Sequence, residues 1–291
     1  MLAHLAPEIF NGLMLGAFYA AVAIGLSLIM NLTGTINMAH GSFLTLGGYL
    51  AFTMVSAGTS FWFAILIAPI LTAVVGIAVE RLIMRPLYKR DPVYSLLLTF
   101  GLSLIAEEVY RLIWGSNGVP LSAPVALTGG ISFFGLFQVP TIQLFVAAVL
   151  AVSLIALWFF LNRTRFGLKL RAAVQDTEMI AALGTSTQLL YMVNFALGIL
   201  LAGLAGVLAG AQLGLNPTSG NSLLMPAFVT VIVGGMGSLV GAIAGGLLIG
   251  LTTSIITFYW PAFSEVSIFI LMALVLLIRP RGLFGEEGIF G

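Results

Sequence analysis

Cysteine is absent from the 291 residues, so no disulfide framework, thiol chemistry or cysteine metal site can be built. Charge is nearly absent as well. Asp, Glu, Lys and Arg make up 7% of the chain, where a soluble domain carries about 25%. The 11 basic and 10 acidic residues balance to a formal net charge of +1, and no basic tract is present to hold nucleic acid. They are too few to cover the surface of a soluble 30.7 kDa core. The two histidines, His4 and His40, stand far apart without an acidic cluster, which leaves no metal site. No G-x-S-x-G, H-E-x-x-H or paired intramembrane Asp offers catalysis. The only lysines, Lys89 and Lys169, do not follow the glycine pattern of a P-loop, so the chain is not its own ATPase.

What is present is apolar. The hydrophobic residues are 60% of the chain, and its 34 glycines raise the total to about 72% against the usual 45–50%. From Ile9 to Val79 there is no charged residue. Crossing the roughly 30 Å hydrocarbon layer takes about 20 apolar residues per helix. The pattern predicts helices over 9–30, 39–57, 61–79, 93–113, 140–161, 190–211, 239–258 and 264–278, with a shorter apolar piece at 220–236. The expected fold is an all-α polytopic membrane protein of eight to nine membrane segments, including discontinuous helices. One transmembrane domain accounts for 1–291. Met1 to Glu8 has no basic stretch, so the first span is expected to be retained rather than cleaved as a signal.

Ten of the 11 basic residues fall in three groups: Arg81, Arg85, Lys89 and Arg90; Arg163, Arg165, Lys169 and Arg171; Arg279 and Arg281. The connections near 114–139, 212–222 and 258–263 hold none. The positive-inside rule places the three groups in the cytoplasm. The second and third groups then share a side only if 220–236 also crosses or reaches most of the way, and the N-terminus falls outside. Trp62, Trp114, Tyr259 and Trp260 lie at expected helix ends, as interfacial anchors do.

Arg111 stands apart from the groups, four residues from Glu107 and three from Glu108, so all three can meet on one helical face. They form either a neutralised helix end or a pairing within a translocation path. Two uncharged interruptions, Asn31–Gly41 and Val233–Gly241, look like non-helical backbone at membrane depth, which is tolerated only inside protein or beside water. Paired breaks of this kind point to a transporter's central pathway. Gly12/Gly16, Gly206/Gly210, Gly241/Gly245 and Gly246/Gly250 have the spacing that lets helix backbones approach. His40, beside Asn37 and Gly41, is a structural hydrogen-bonding group or a path residue, and Asn194 is interhelical glue or path lining.

The connection 162–189 is the longest between expected spans on the basic side. Its first part, RTRFGLKLRAAVQ, is basic and amphipathic. Asp176 can then cap a short helix over 177–183 with Glu178 in its first turn, and Gly184 can end it. Seven residues of helix are not stable alone. The piece lies either on lipid headgroups or in a groove of a partner protein.

INMAHG (36–41), RAAVQD with AALG (171–184), VGGMGSLVGAIAGGLLIG (233–250) and IRPRGLFG (278–285) resemble the motifs of LivH-type permeases. These are membrane subunits of branched-chain amino-acid ABC importers, and the resemblance runs in order over nearly the whole chain. It implies a heterodimer with a LivM-type permease, two cytoplasmic LivG- and LivF-type ATPases holding ATP and Mg, and a periplasmic or extracellular substrate-binding protein. It also implies a bacterial inner-membrane location, inward transport by alternating access, and no cofactor in this chain. A short cytoplasmic coupling helix would dock into the ATPase at about Asp176–Gly184. Where many importers read Glu-Ala-Ala, this chain has Arg171-Ala172-Ala173. The residues expected to couple are Arg171, Asp176, Glu178 and Gly184; those expected on the pathway are Asn37, His40, Gly41 and Gly235. Urea, short amides and aromatic acids are carried by similar permeases. An ion-coupled secondary transporter would have only Glu107, Glu108 and His40 to use, and a non-transporting assembly subunit would not need the 176–184 helix.

Overall fold

The computed structural model describes residues 2–88, 90–133 and 137–285; Lys89 of the first basic group lies outside them. Each expected apolar segment forms a helix: α1 (Leu2–Thr33), α2 (His40–Ser56), α3 (Phe61–Val79), α4 (Pro92–Trp114), α5 (Thr141–Arg163), α8 (Thr187–Leu213), α9 (Ser219–Gly234), α10 (Leu239–Tyr259) and α11 (Ser264–Ile278). Two shorter helices, α6 (Arg165–Gln175) and α7 (Thr177–Ala182), fill the connection before α8. The largest discrepancy in ends is at α1, which begins at Leu2 rather than 9. Glu8 ends an apolar count but not a helix, and it is held by Ser254 of α10, whose hydroxyl donates to the Glu8 carbonyl at 2.7 Å.

Among the described residues, six helical stretches are long and apolar enough to cross a membrane: Leu5–Thr33, Phe61–Leu87, Thr141–Arg163, Thr187–Leu213, Leu239–Tyr259 and Pro261–Ile278. The expected eight to nine are not reached on that measure. At 17 and 16 residues, α2 and α9 are short, and α4 carries Glu107, Glu108 and Arg111 near its end. The uncharged connection after α4 holds a hairpin absent from the sequence reading, β1 (Gly130–Phe133) paired antiparallel with β2 (Phe137–Pro140).

The bundle is organised around α1 and α8, whose most apolar stretches are 72% and 67% buried, against 22% for that of α5 and 17% for that of α11. Glycine explains why. Helices gain no hydrophobic drive for association in lipid and must pack closely instead. A Cβ on Gly16 would lie 2.7 Å from the Leu247 backbone, one on Gly25 2.7 Å from the Gly198 carbonyl oxygen, and one on Gly47 2.5 Å from the Gly203 Cα. Thus α1 meets α10 and α8, and α2 meets α8, backbone against backbone. Asn194 of α8 donates to the Leu28 carbonyl of α1 at 2.6 Å, acting as interhelical glue in this conformation.

Past Val79 the α3 helix widens into a π turn, Glu80–Met84, and then a 3-10 turn, Arg85–Leu87. Pro86 has no N–H to continue an α-helical ladder. The extra residue in the wide turn brings Glu80 and Arg85, five apart, into a two-pronged ion pair at 3.1 and 2.7 Å. The Glu80 side chain is wholly buried. A buried carboxylate that lost its cation would be strongly destabilising, so the π turn and the pair require one another. Sequence reading missed Glu80 because five-residue spacing is not a pairing distance on an α-helix.

Candidate functional site

At the end of the bundle that carries the basic groups, α6 and α7 form the compact unit expected from the capping residues. The Asp176 carboxylate accepts from the Met179 amide at 2.8 Å, Glu178 sits exposed in the first turn, and Gly184 takes a left-handed φ of +78° just past the helix. Its amide donates to the Ala181 carbonyl at 3.0 Å. Within α7 only Ile180 is buried, while Met179 and Leu183 stand 62% and 75% exposed. The unit therefore presents two apolar side chains outward from an end otherwise rich in arginine. Arg171 does something different from its neighbours. Its guanidinium donates to the Leu161 carbonyl and, at 3.2 Å, to the Asn162 side chain, so it caps the C-terminal end of α5 and fixes the root of the unit.

Close by, burial pushes the Tyr88 phenol well above its usual range, with the Glu80 charge adding to the effect. Its ring lies 5.0 Å from that of Tyr191 in α8. Met84 of the π turn is buried with Ile29, Ala39, Phe43, Phe195 and Ile199 in a second small core. This core connects the start of α8 with the break between α1 and α2.

That break is real and uncharged. After Gly34, at φ +64°, the chain leaves helical conformation until His40. Thr99 of α4 holds it: its hydroxyl accepts from the Met38 amide at 3.0 Å and lies 3.4 Å from the Ile36 carbonyl. Asn37 and His40 are buried, at 1% and 0% exposure. The Asn37 carbonyl oxygen of the side chain accepts from the Ala39 amide at 3.1 Å, its amide nitrogen completes no hydrogen bond among the described residues, and the His40 ring meets the Val22 backbone of α1. The His40 ring packs at Gly25 of α1.

Gly41 joins this break to the start of α9. A Cβ there would lie 2.6 Å from the Gly220 carbonyl oxygen, and the Gly220 amide donates to the Thr45 hydroxyl at 2.8 Å. The first turns of α2 and α9 thus meet face to face. Gly235 lies elsewhere, beyond the far end of α9 at φ +99°. There the segment after α11 returns, with Leu283 and Phe284 donating to the Val233 and Gly234 carbonyls at 2.8 and 3.0 Å. So Asn37, His40 and Gly41 are brought together, and Gly235 belongs to a separate strap. Thr99, Tyr110 (whose hydroxyl donates to the Ser42 carbonyl at 2.8 Å) and Trp114 (2.9 Å to Thr53) were not foreseen as the clamps of α4 on α2. Only their spacing along one α4 face could have indicated it.

A family model described as the branched-chain amino acid transport system permease component matches residues 8–278. The high-affinity branched-chain amino acid permease LivH of Escherichia coli K12 is 31% identical, over 97% of this chain and 96% of its own. The corresponding protein BraD of Pseudomonas aeruginosa is 30% identical over the same shares. The ribose import permease RbsC of Escherichia coli K12 is 27% identical over 84% of this chain and 75% of its own. Among solved structures, PsaBC from Streptococcus pneumoniae in complex with Fab superposes with a TM-score of 0.51 over 96% of this chain and 95% of that one. At 16% identity that likeness is one of fold.

Proposed function

The chain belongs to the branched-chain amino acid transport permease family, and from that membership and the geometry above we propose that it is the permease subunit of an ATP-driven importer of branched-chain amino acids. The observation that carries the coupling is α7, a capped six-residue helix with Met179 and Leu183 exposed at the basic end. A helix of that length does not hold itself, and apolar side chains turned outward suit a groove in a protein. The positive-inside rule puts that end in the cytoplasm, where two ATPase subunits with their ATP and Mg would seat α7. A second permease completes the membrane part, and a binding protein delivers substrate at the opposite end. The location is the inner membrane, with the C-terminus inside and the N-terminus outside.

Asp176, Glu178 and Gly184 shape the coupling helix, and Arg171 fixes its root on α5. Motion of α7 reaches α8 directly, and from Tyr191 the second small core passes it to the α1–α2 break. Asn37, His40 and Gly41 form the floor of the path. Gly235 and the returning C-terminal segment tie down the far end of α9. In this reading α2, α4 and α9 add to the six long spans within a single transmembrane domain.

The cysteine-free sequence makes the docking directly measurable. Met179→Cys and Leu183→Cys, each introduced singly into the assembled transporter, should form an adduct with an ATPase subunit on treatment with a short thiol-to-amine cross-linker. A complex that retains its ATPases yet gives no adduct from either position would refute the seating of α7.

A further inference from the structure

Helix α4 touches its own bundle along one narrow stripe, Ser95, Thr99, Ser103 and Tyr110. Most of its remaining surface is apolar, with Leu97, Phe100, Leu104, Ile105, Leu112 and Ile113 exposed. About two-thirds of the way along, the surface changes character. Glu107 pairs with Arg111, and Arg111 also reaches Glu108 at 3.4 Å. The Asn221 side chain of α9 donates to Glu107 at 3.3 Å. Asn221, Ser222 and Asn216 are exposed beside this group.

Packing fixes the depth. Asn221 follows Gly220, which abuts Gly41 in the first turn of α2, beside His40 against Gly25. Gly25 itself meets Gly198, near the middle of α8. The chain arrives there through an irregular segment, 214–218, that descends along α2 from Gly48, where Leu215 packs, to Gly41, where Gly220 packs. By helical rise that descent is about 10 Å. Irregular backbone, an ion triad and exposed amides at such depth are not compatible with lipid. They are tolerated only against protein or water.

We propose that the face formed by α4 and the first turn of α9 lines the aqueous entry path, and that Arg111 and Glu107 engage the carboxylate and ammonium of a zwitterionic amino acid there. The assignment of ligand rests on the importer reading above; the wetness of the face does not. Within the triad, Arg111 can turn from Glu107 to the substrate carboxylate and Glu107 to its ammonium, so both members of that pair find an opposite charge. The Glu107–Arg111 pair and the zwitterion are each neutral, so the exchange conserves charge, and the remaining carboxylate, Glu108, is 60% exposed and can stay solvated. Met225, one turn beyond Asn221 and 50% exposed, offers a deformable surface to an apolar side chain. The face remains open in this chain, and the second permease would close it.

The test uses the whole transporter in membranes. Ser222→Cys should react with a charged, membrane-impermeant thiol reagent added from outside at least about tenfold faster than Ile155→Cys, which faces outward from α5. Equal rates would overturn the wet face. Arg111→Gln should raise the apparent KM for leucine at least about tenfold, as loss of a hydrogen bond to a charged group does. It should leave leucinamide, which lacks the carboxylate, competing as it does in the wild type. A reactive Ser222→Cys with an unchanged KM in Arg111→Gln would overturn the ligand assignment. If the wild-type complex took up no amino acid while Ser222→Cys still reacted, the importer reading would be the one to fall.

Discussion

Gly184→Pro is expected to leave the protein in the membrane in normal amounts while uptake falls to background and substrate no longer stimulates ATP hydrolysis. Gly184 sits at φ +78° and donates its amide to the Ala181 carbonyl. Proline fixes φ near −65° and has no amide proton, so both features are lost together. An incompatible proline costs more than about 1 kcal/mol, and six residues of helix have little to set against it. The damage stays local, because within α7 only Ile180 is buried. Glu178→Lys should act in the same direction but more weakly. It replaces a favourable charge at the positive end of the helix dipole by an unfavourable one, each worth about 0.3–1 kcal/mol. Uptake assays, ATPase assays and immunoblots of membranes separate coupling from expression. Wild-type uptake in both variants would remove α7 from the mechanism.

A single methyl group should have the opposite kind of effect inside the bundle. In Gly206→Ala the new Cβ would overlap the Leu44 carbonyl oxygen of α2. The obstacle is backbone, so no rotamer change can relieve it. Overpacking in cores costs about 1–3 kcal/mol where side chains can give way; here the two helices must separate, and folded protein should be lost. The same substitution at Gly101, where no described residue lies within 4 Å, should be tolerated. Size-exclusion profiles and melting of the two proteins in detergent make the comparison. A monodisperse Gly206→Ala protein with wild-type melting would mean that close backbone packing does not hold α2 to α8.

Much of this architecture was legible from residue order alone, for physical reasons that differ between elements. Apolar length defines spans, so α3, α10 and α11 begin where the hydrophobic runs begin. Capping chemistry is local, so Asp176 and Gly184 bracketed α7 to within a residue. Glycine spacing named Gly12, Gly16, Gly246 and Gly250, and these do meet across α1 and α10. What stayed hidden is non-local or irregular. Nothing in the spacing said that Gly41 would touch Gly220, that Thr99 would hold the break after Gly34, or that a π turn would join Glu80 to Arg85. Arg171 was expected among the coupling residues, with no partner named for it. Its bond to the Leu161 carbonyl depends on how α6 folds back on α5, which no periodicity encodes. The triad at Glu107 was visible as a pairing, but only the packing of α9 gave it a depth.

Purified alone into vesicles, the chain should move no leucine uphill under a sodium or proton gradient. Reconstituted with its second permease, both ATPases and the binding protein, it should do so only when ATP is supplied on the cytoplasmic face. Gradient-driven accumulation by the isolated chain would contradict the account at its root, since the motor would then lie within a protein that has no nucleotide-binding loop.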